Sequence, residues 1–128
     1  KIMLQKFEIE IISPNKIIYK DSTTETILPC FEGQVTILKD HISFITFLRP
    51  GIIEVDNKEK FYVEEGTIEF SNNKLLVLSA TAQNLKDLNN KSIIDMIKKA
   101  EENLIDNQIS DKQKYILNYK VETLKQIN

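Results

Sequence analysis

Tryptophan is absent from this chain of 128 residues, and cysteine, histidine and arginine occur once each, as Cys30, His41 and Arg49. One cysteine excludes an intramolecular disulfide, and one cysteine with one histidine leaves too few ligands for a His/Cys zinc site within one chain. A lone arginine leaves the chain poor in the planar guanidinium forks that clamp phosphates and carboxylates. Glycine-rich phosphate loops are missing as well: Gly33, Gly51 and Gly66 are isolated and form neither GxGxxG nor GxxxxGK[ST]. No apolar run approaches the ~20 residues that span a bilayer. The opening Lys1-Ile2-Met3-Leu4-Gln5-Lys6 is too short and polar for a signal peptide, and Lys1 in place of an initiator Met suggests a trimmed or incomplete start. A net charge of −2 and a pI near 5.5 argue against a general nucleic-acid binder. The expectation is a soluble chain in a reducing, cytoplasmic-type compartment, with no metal and no cofactor.

What is present is an ordinary globular balance, 41% hydrophobic and 28% charged, enough for one core. All glycines and prolines fall in the first 66 residues. There Phe7-Glu8-Ile9-Glu10-Ile11 alternates apolar and acidic, the period of a half-buried strand. Similar short runs follow at residues 17–19, 26–28, 35–38, 44–48, 52–55, 61–63, 67–70 and 75–78, separated by turns such as Ser13-Pro14-Asn15, Arg49-Pro50-Gly51 and Asn72-Asn73. This spacing predicts an antiparallel sandwich or barrel. After Asn84 the period changes. Ile93, Ile94, Ile97, Ala100, Leu104 and Ile105 make one helical stripe, capped by a Ser92/Asp95 box or by Asn89 or Asn90. Asp106-Asn107-Gln108 reads as a connector, Ser110 or Asp111 as the next cap, and Tyr115 or Ile116, Tyr119, Leu124 and Ile127 as a second amphipathic helix. The chain therefore divides into a β-sandwich over 1–84 and an antiparallel helical hairpin over 85–128. Each helix is near the ~12–15-residue length that is marginal alone, so the hairpin must dock on the sandwich or on a partner.

Reactive groups do not converge. Cys30 and His41 are close enough in sequence to meet in a β fold, but Pro29-Cys30-Phe31 matches no nucleophile motif and reads as packing. The pairs Glu8/Glu10 and Glu64/Glu65 lack any sign of the apolar cleft that splits carboxylate pKa values. A binding or regulatory module is favoured over a cysteine-dependent enzyme.

The stretch from Pro29 to Gly51 resembles the epsilon subunit of F-type ATP synthase, whose pattern is about P-G-x-x-G-x-x-G-I-L-x-x-H-x-P-h-h-T-x-L-x-x-G. Pro29, Gly33, Ile37, Leu38, His41, Thr46, Leu48 and Gly51 match. Phe61 to Phe70 and Val77-Leu78-Ser79-Ala80-Thr81-Ala82 follow the family's F-V-x-G-G-x-x-E-V and V-L-A-x-T-A, and Lys99-Ala100-Glu101-Glu102-Asn103-Leu104 follows R-A-E-x-x-L. The resemblance implies a flattened sandwich of about ten strands and a helix pair. It implies a non-catalytic rotor subunit that links the gamma subunit to the c ring and couples proton transport to ATP synthesis. Its hairpin would also extend toward the alpha and beta catalytic subunits and slow ATP hydrolysis. It would associate with the bacterial inner membrane, on the cytoplasmic side, only through the complex. Glu32, Gln34, Asp40 and His41 are the implied contact surface for the c ring and the base of gamma, and Lys112, Lys114, Lys120 and Lys125 the implied inhibitory contacts. Family glycines are replaced at Cys30, Thr36 and Glu65, and prolines at Ser43 and Lys39, where turn geometry should adjust. The nucleotide motif [IL]-D-x-x-R-A is degraded to Leu88-Asn89-Asn90-Lys91-Ser92-Ile93, so no useful ATP binding is expected. A free-standing sandwich adaptor for another protein is the alternative.

Overall fold

The computed structural model describes residues 5–127. Ten strands precede two helices: β1 (Phe7–Ile12), β2 (Ile17–Thr23), β3 (Thr26–Cys30), β4 (Gly33–Ile37), β5 (Phe44–Leu48), β6 (Gly51–Val55), β7 (Glu59–Val63), β8 (Gly66–Ser71), β9 (Lys74–Leu78), β10 (Gln83–Asn84), α1 (Asn90–Leu104) and α2 (Asp111–Ile127). Hydrogen bonding runs β2-β1-β9-β8-β5 and β4-β3-β6-β7-β10. A single residue pair, Cys30 with Leu48, joins these halves. All pairings are antiparallel except β1 with β9. The halves fold over one core in which Phe7, Ile9, Ile11, Phe70 and Val77 from one half meet Leu28, Ile53, Phe61 and Val63 from the other. The sandwich foreseen from alternation is thus the observed one, since every second residue of β1, β6 and β8 turns into this core.

Turn chemistry sets the register. Asp56-Asn57 and Asn72-Asn73 all have left-handed φ between 50° and 56°, which Asn and Asp tolerate better than other side chains, and they close the β6–β7 and β8–β9 hairpins. Cys30, Thr36 and Glu65 are not among the left-handed residues, so the absent family glycines leave no strain there; the required ones are Gly33 and Gly66. Asp56 also acts as a joint. One carboxylate oxygen accepts from Thr23 Oγ1 at 2.8 Å, from the Thr24 amide and hydroxyl at 2.8 Å each, and from the Glu25 amide at 3.1 Å. Burial pushes this carboxyl up, but the Thr24, Thr23 and Glu25 hydrogen bonds outweigh it and hold the group below its ordinary range.

The helical hairpin covers the outer face of β6 and β7. Tyr62, whose β7 neighbours Phe61 and Val63 point inward, is buried against Ile93 and Leu124, with Ile52, Leu85, Leu88, Met96, Ile97 and Ile127 around them. Burying each large side chain contributes ~1.5–3 kcal/mol, enough to hold a helix pair that would be marginal alone. Asn89, not Ser92, caps α1, its side chain accepting the Ser92 amide at 2.8 Å. At α2, Ser110 and Gln113 form a reciprocal box, amide to side chain in both directions, at 2.8 and 3.1 Å. The apolar stripe is narrower than its sequence suggests: Ile94 and Ile105 are 54% and 79% exposed, whereas Val121 and Thr123 are buried.

Candidate interaction surfaces

Among the described residues, one sandwich face is sealed by the hairpin and the opposite face is open. On β5, Thr46 and Leu48 turn inward, which sends Ile45 and Phe47 outward, 72% and 60% exposed. Register places Phe47 beside Thr67, Leu78 and Ile12, and Ile45 beside Glu69, Leu76 and Glu10, across four adjacent strands. Phe47, Leu78 and Ile12 form a largely apolar row with Thr67 between the first two, and Ile45 and Leu76 alternate with Glu69 and Glu10 in the next. Exposed apolar side chains gathered on the outside of a sheet are characteristic of interaction surfaces. The signal was present in Phe44-Ile45-Thr46-Phe47-Leu48, which lacks polar alternation, but nothing in the sequence says which face is sealed.

The loop between β4 and β5 forms one end of the sandwich. Asp40, at φ 65°, donates its amide to Asn73 Oδ1 at 2.7 Å and accepts from Asn73 Nδ2 at 2.9 Å, so the loop is bolted to the β8–β9 turn. His41 packs on Phe44 and Phe70 at 5.2 and 6.0 Å, with Nδ1 2.8 Å from the Ile42 carbonyl. This leaves Leu38 and Ile42 facing out, Ile42 78% exposed.

The four residues expected to share one contact surface fall into two pairs. Asp40 and His41 lie in this end loop. Glu32 and Gln34 flank the β3–β4 turn at the other end of β4, on the order of 13 Å away at ~3.3 Å per residue. Glu32 accepts the Thr46 hydroxyl on both carboxylate oxygens, at 2.6 and 2.8 Å, and that bond lowers its pKa. Cys30 is fully buried, its thiol pushed up to about 11 by burial and then by the Glu32 charge, against the pull of Arg49. Such a thiol is a packing group, not a nucleophile. Within the segment that resembles a nucleotide motif, Leu88 and Ile93 pack into the hairpin core and Asn89 caps α1.

A second cluster fastens α2 to the sandwich. The Arg49 guanidinium lies 4.0 Å from the centre of the Tyr119 ring. Tyr119 meets Tyr115 edge-on at 4.8 Å, and Tyr115 stacks on Phe31 at 5.8 Å while donating its hydroxyl to the Phe31 carbonyl at 3.2 Å. Three of the four lysines expected to face another subunit are occupied within the chain. Lys120 pairs with Glu64 at 3.2 Å, Lys125 with Glu101 at 3.3 Å, and Lys112 lies 5.9 Å from the centre of the Phe31 ring. Glu64 also accepts the hydroxyl of the buried Tyr62 at 3.1 Å, and burial together with the Glu64 charge raises that phenol's pKa.

Comparison with known proteins gives these surfaces a context. Residues 6–85 match the family model of the ATP synthase delta/epsilon chain β-sandwich domain. The ATP synthase epsilon chain of Pelagibacter ubique is 43% identical over 130 residues, covering 98% of this chain and all of that one. The ATP synthase epsilon chain of Endomicrobium trichonymphae is 35% identical over 77% of this chain and 74% of its own. Among solved structures, a chain of the Euglena gracilis mitochondrial ATP synthase OSCP/F1/c-ring assembly superposes with a TM-score of 0.76 at 14% identity, over 94% of this chain and 80% of its own. A chain of the Tetrahymena thermophila mitochondrial ATP synthase central stalk/c-ring does so at 0.66 and 15%, over 95% and 96%. At those identities the superpositions speak to the shared fold.

Proposed function

The chain belongs to the ATP synthase epsilon family, as a non-catalytic subunit, and on that premise we propose that two of its surfaces make it a rotor link. The open face, Ile45, Phe47, Leu76 and Leu78, seats the gamma subunit. The end loop, with Leu38 and Ile42 at its tip and Asp40 and His41 behind them, rests on the c ring, while Glu32 and Gln34 face the base of gamma. The observation that carries this reading is the apolar row on one face of a sandwich whose other face is sealed by its own hairpin.

The subunit then sits peripherally on the cytoplasmic side of a bacterial inner membrane, held there by the complex. Bacterial relatives support this placement, and no helix among the described residues is long and apolar enough to cross a membrane. Lys112, Lys114, Lys120 and Lys125 serve as contacts to the catalytic subunits when the hairpin extends.

Site-directed crosslinking in the assembled enzyme tests the arrangement. Because Cys30 is buried it stays silent, so Phe47→Cys and Ile42→Cys each report one surface. Crosslinks from Phe47→Cys to gamma and from Ile42→Cys to the c subunit are expected. An adaptor unrelated to the rotor would give neither, and would not leave membranes together with gamma.

A further inference from the structure

The open face and the hairpin share a cleft. A space of about 640 Å3 lies where they meet, with Phe47, Thr67 and Leu78 of the open face on one side and Lys112 and Ile116 of α2 on the other. Phe31, Leu48, Glu64, Glu65 and Gly66 complete its lining. The volume is in the range of cavities that hold a bound group, and its walls are mostly apolar. The cleft therefore joins the surface assigned to gamma to two residues of α2, the helix that the clasp of Arg49, Tyr119, Tyr115 and Phe31 holds in place.

We infer that this cleft receives an apolar side chain of the gamma subunit, next to a basic residue that meets Glu65, so that gamma binding holds the hairpin docked. The inference rests on the reading of the open face as the gamma seat, because Phe47 and Leu78 are common to both and a partner covering them reaches the cleft mouth. The basic neighbour follows from charge: the side chain of exposed Glu65 accepts only the neutral Ala80 amide, at 2.9 Å on Oε1, and has no ion pair among the described residues, whereas Glu64 already engages Lys120 and the Tyr62 hydroxyl. A group clamped between two units binds only when both are in place, and coupling of this kind is reciprocal: a docked α2 strengthens gamma binding by the same factor by which gamma strengthens docking.

The test uses the full chain with purified gamma, reading affinity by titration and α2 mobility by amide hydrogen exchange over 111–127. Gamma is expected to slow exchange in α2. Ile116→Ala, which trims a half-buried side chain, should weaken gamma binding roughly 5- to 10-fold, about 1–1.4 kcal/mol. Phe47→Ala, on an exposed strand position, should weaken binding and also abolish the protection of α2. Equal affinity of wild type and Ile116→Ala, with α2 exchange unchanged or faster on adding gamma, would overturn the coupling while leaving the gamma seat standing. No binding of gamma by the wild-type chain would remove both.

Discussion

Cys30 shows how far a single side chain is committed to packing. It is fully buried where the two halves of the sandwich join, and its pKa stands near 11 against an ordinary 9.0. The folded chain therefore keeps its thiol proton across that interval while the unfolded chain gives it up. Because the folded pKa is raised, this group's contribution to stability is complete below the unfolded value and is lost as pH rises toward the folded one. Denaturant midpoints should thus fall between about pH 9 and pH 11, and Cys30→Ala should flatten that limb relative to wild type. A thiol reagent such as a disulfide chromophore should leave the native protein unmodified near neutral pH and react at once in denaturant. Rapid labelling of the native protein would contradict the burial, and loss of coupled ATP synthesis in Cys30→Ala would return the cysteine to a chemical role.

At the scale of elements, legibility followed the periodicity. Strands came through because inward residues alternate with outward ones and because Asn, Gly and Pro punctuate them. Ile45 and Phe47 carried the open face in plain view, yet their meaning depends on which face the hairpin seals, a fact of topology. Ile94 and Ile105 misled for a related reason: spacing alone makes any helical isoleucine a member of the stripe, while only α2 and β7 decide which ones are covered. The clasp was beyond reach, since Tyr115 and Phe31 are 84 residues apart. Its strength is open to measurement. A cation over an aromatic face is worth ~0.5–2 kcal/mol, so Arg49→Ala should speed amide exchange in α2 roughly 2- to 30-fold while leaving β1 unchanged. Tyr119→Leu should do much the same, and the double variant little more, because both remove one interaction. Strictly additive effects would mean that the two residues act separately and that the clasp is not a unit.

For the molecule as a whole, the docked hairpin and any braking of ATP hydrolysis compete for the same lysines. Lys120 and Lys125 would have to leave Glu64 and Glu101 before meeting a catalytic subunit, and Lys112 would have to leave Phe31. The exposed Lys125–Glu101 pair contributes ~0–1 kcal/mol and weakens with salt, whereas Lys120–Glu64 is half-buried and tied to Tyr62, so exchanging these internal pairs for external ones offers little net drive. For a nucleotide to bias the hairpin it would have to bind at 88–93, where Asn89 caps α1, Ile93 packs in its core and Ser92 stands without a guanidinium to offer a phosphate. Calorimetric titration of the isolated chain with ATP is therefore expected to show no binding; a micromolar dissociation constant would refute this. Removal of residues 86–128 should raise membrane ATP hydrolysis only a few-fold, with the difference shrinking as salt is added. A large, salt-resistant release would show that the extended hairpin blocks the catalytic subunits through its apolar residues, with Ile94 and Ile105, exposed in the docked state, as the first to mutate.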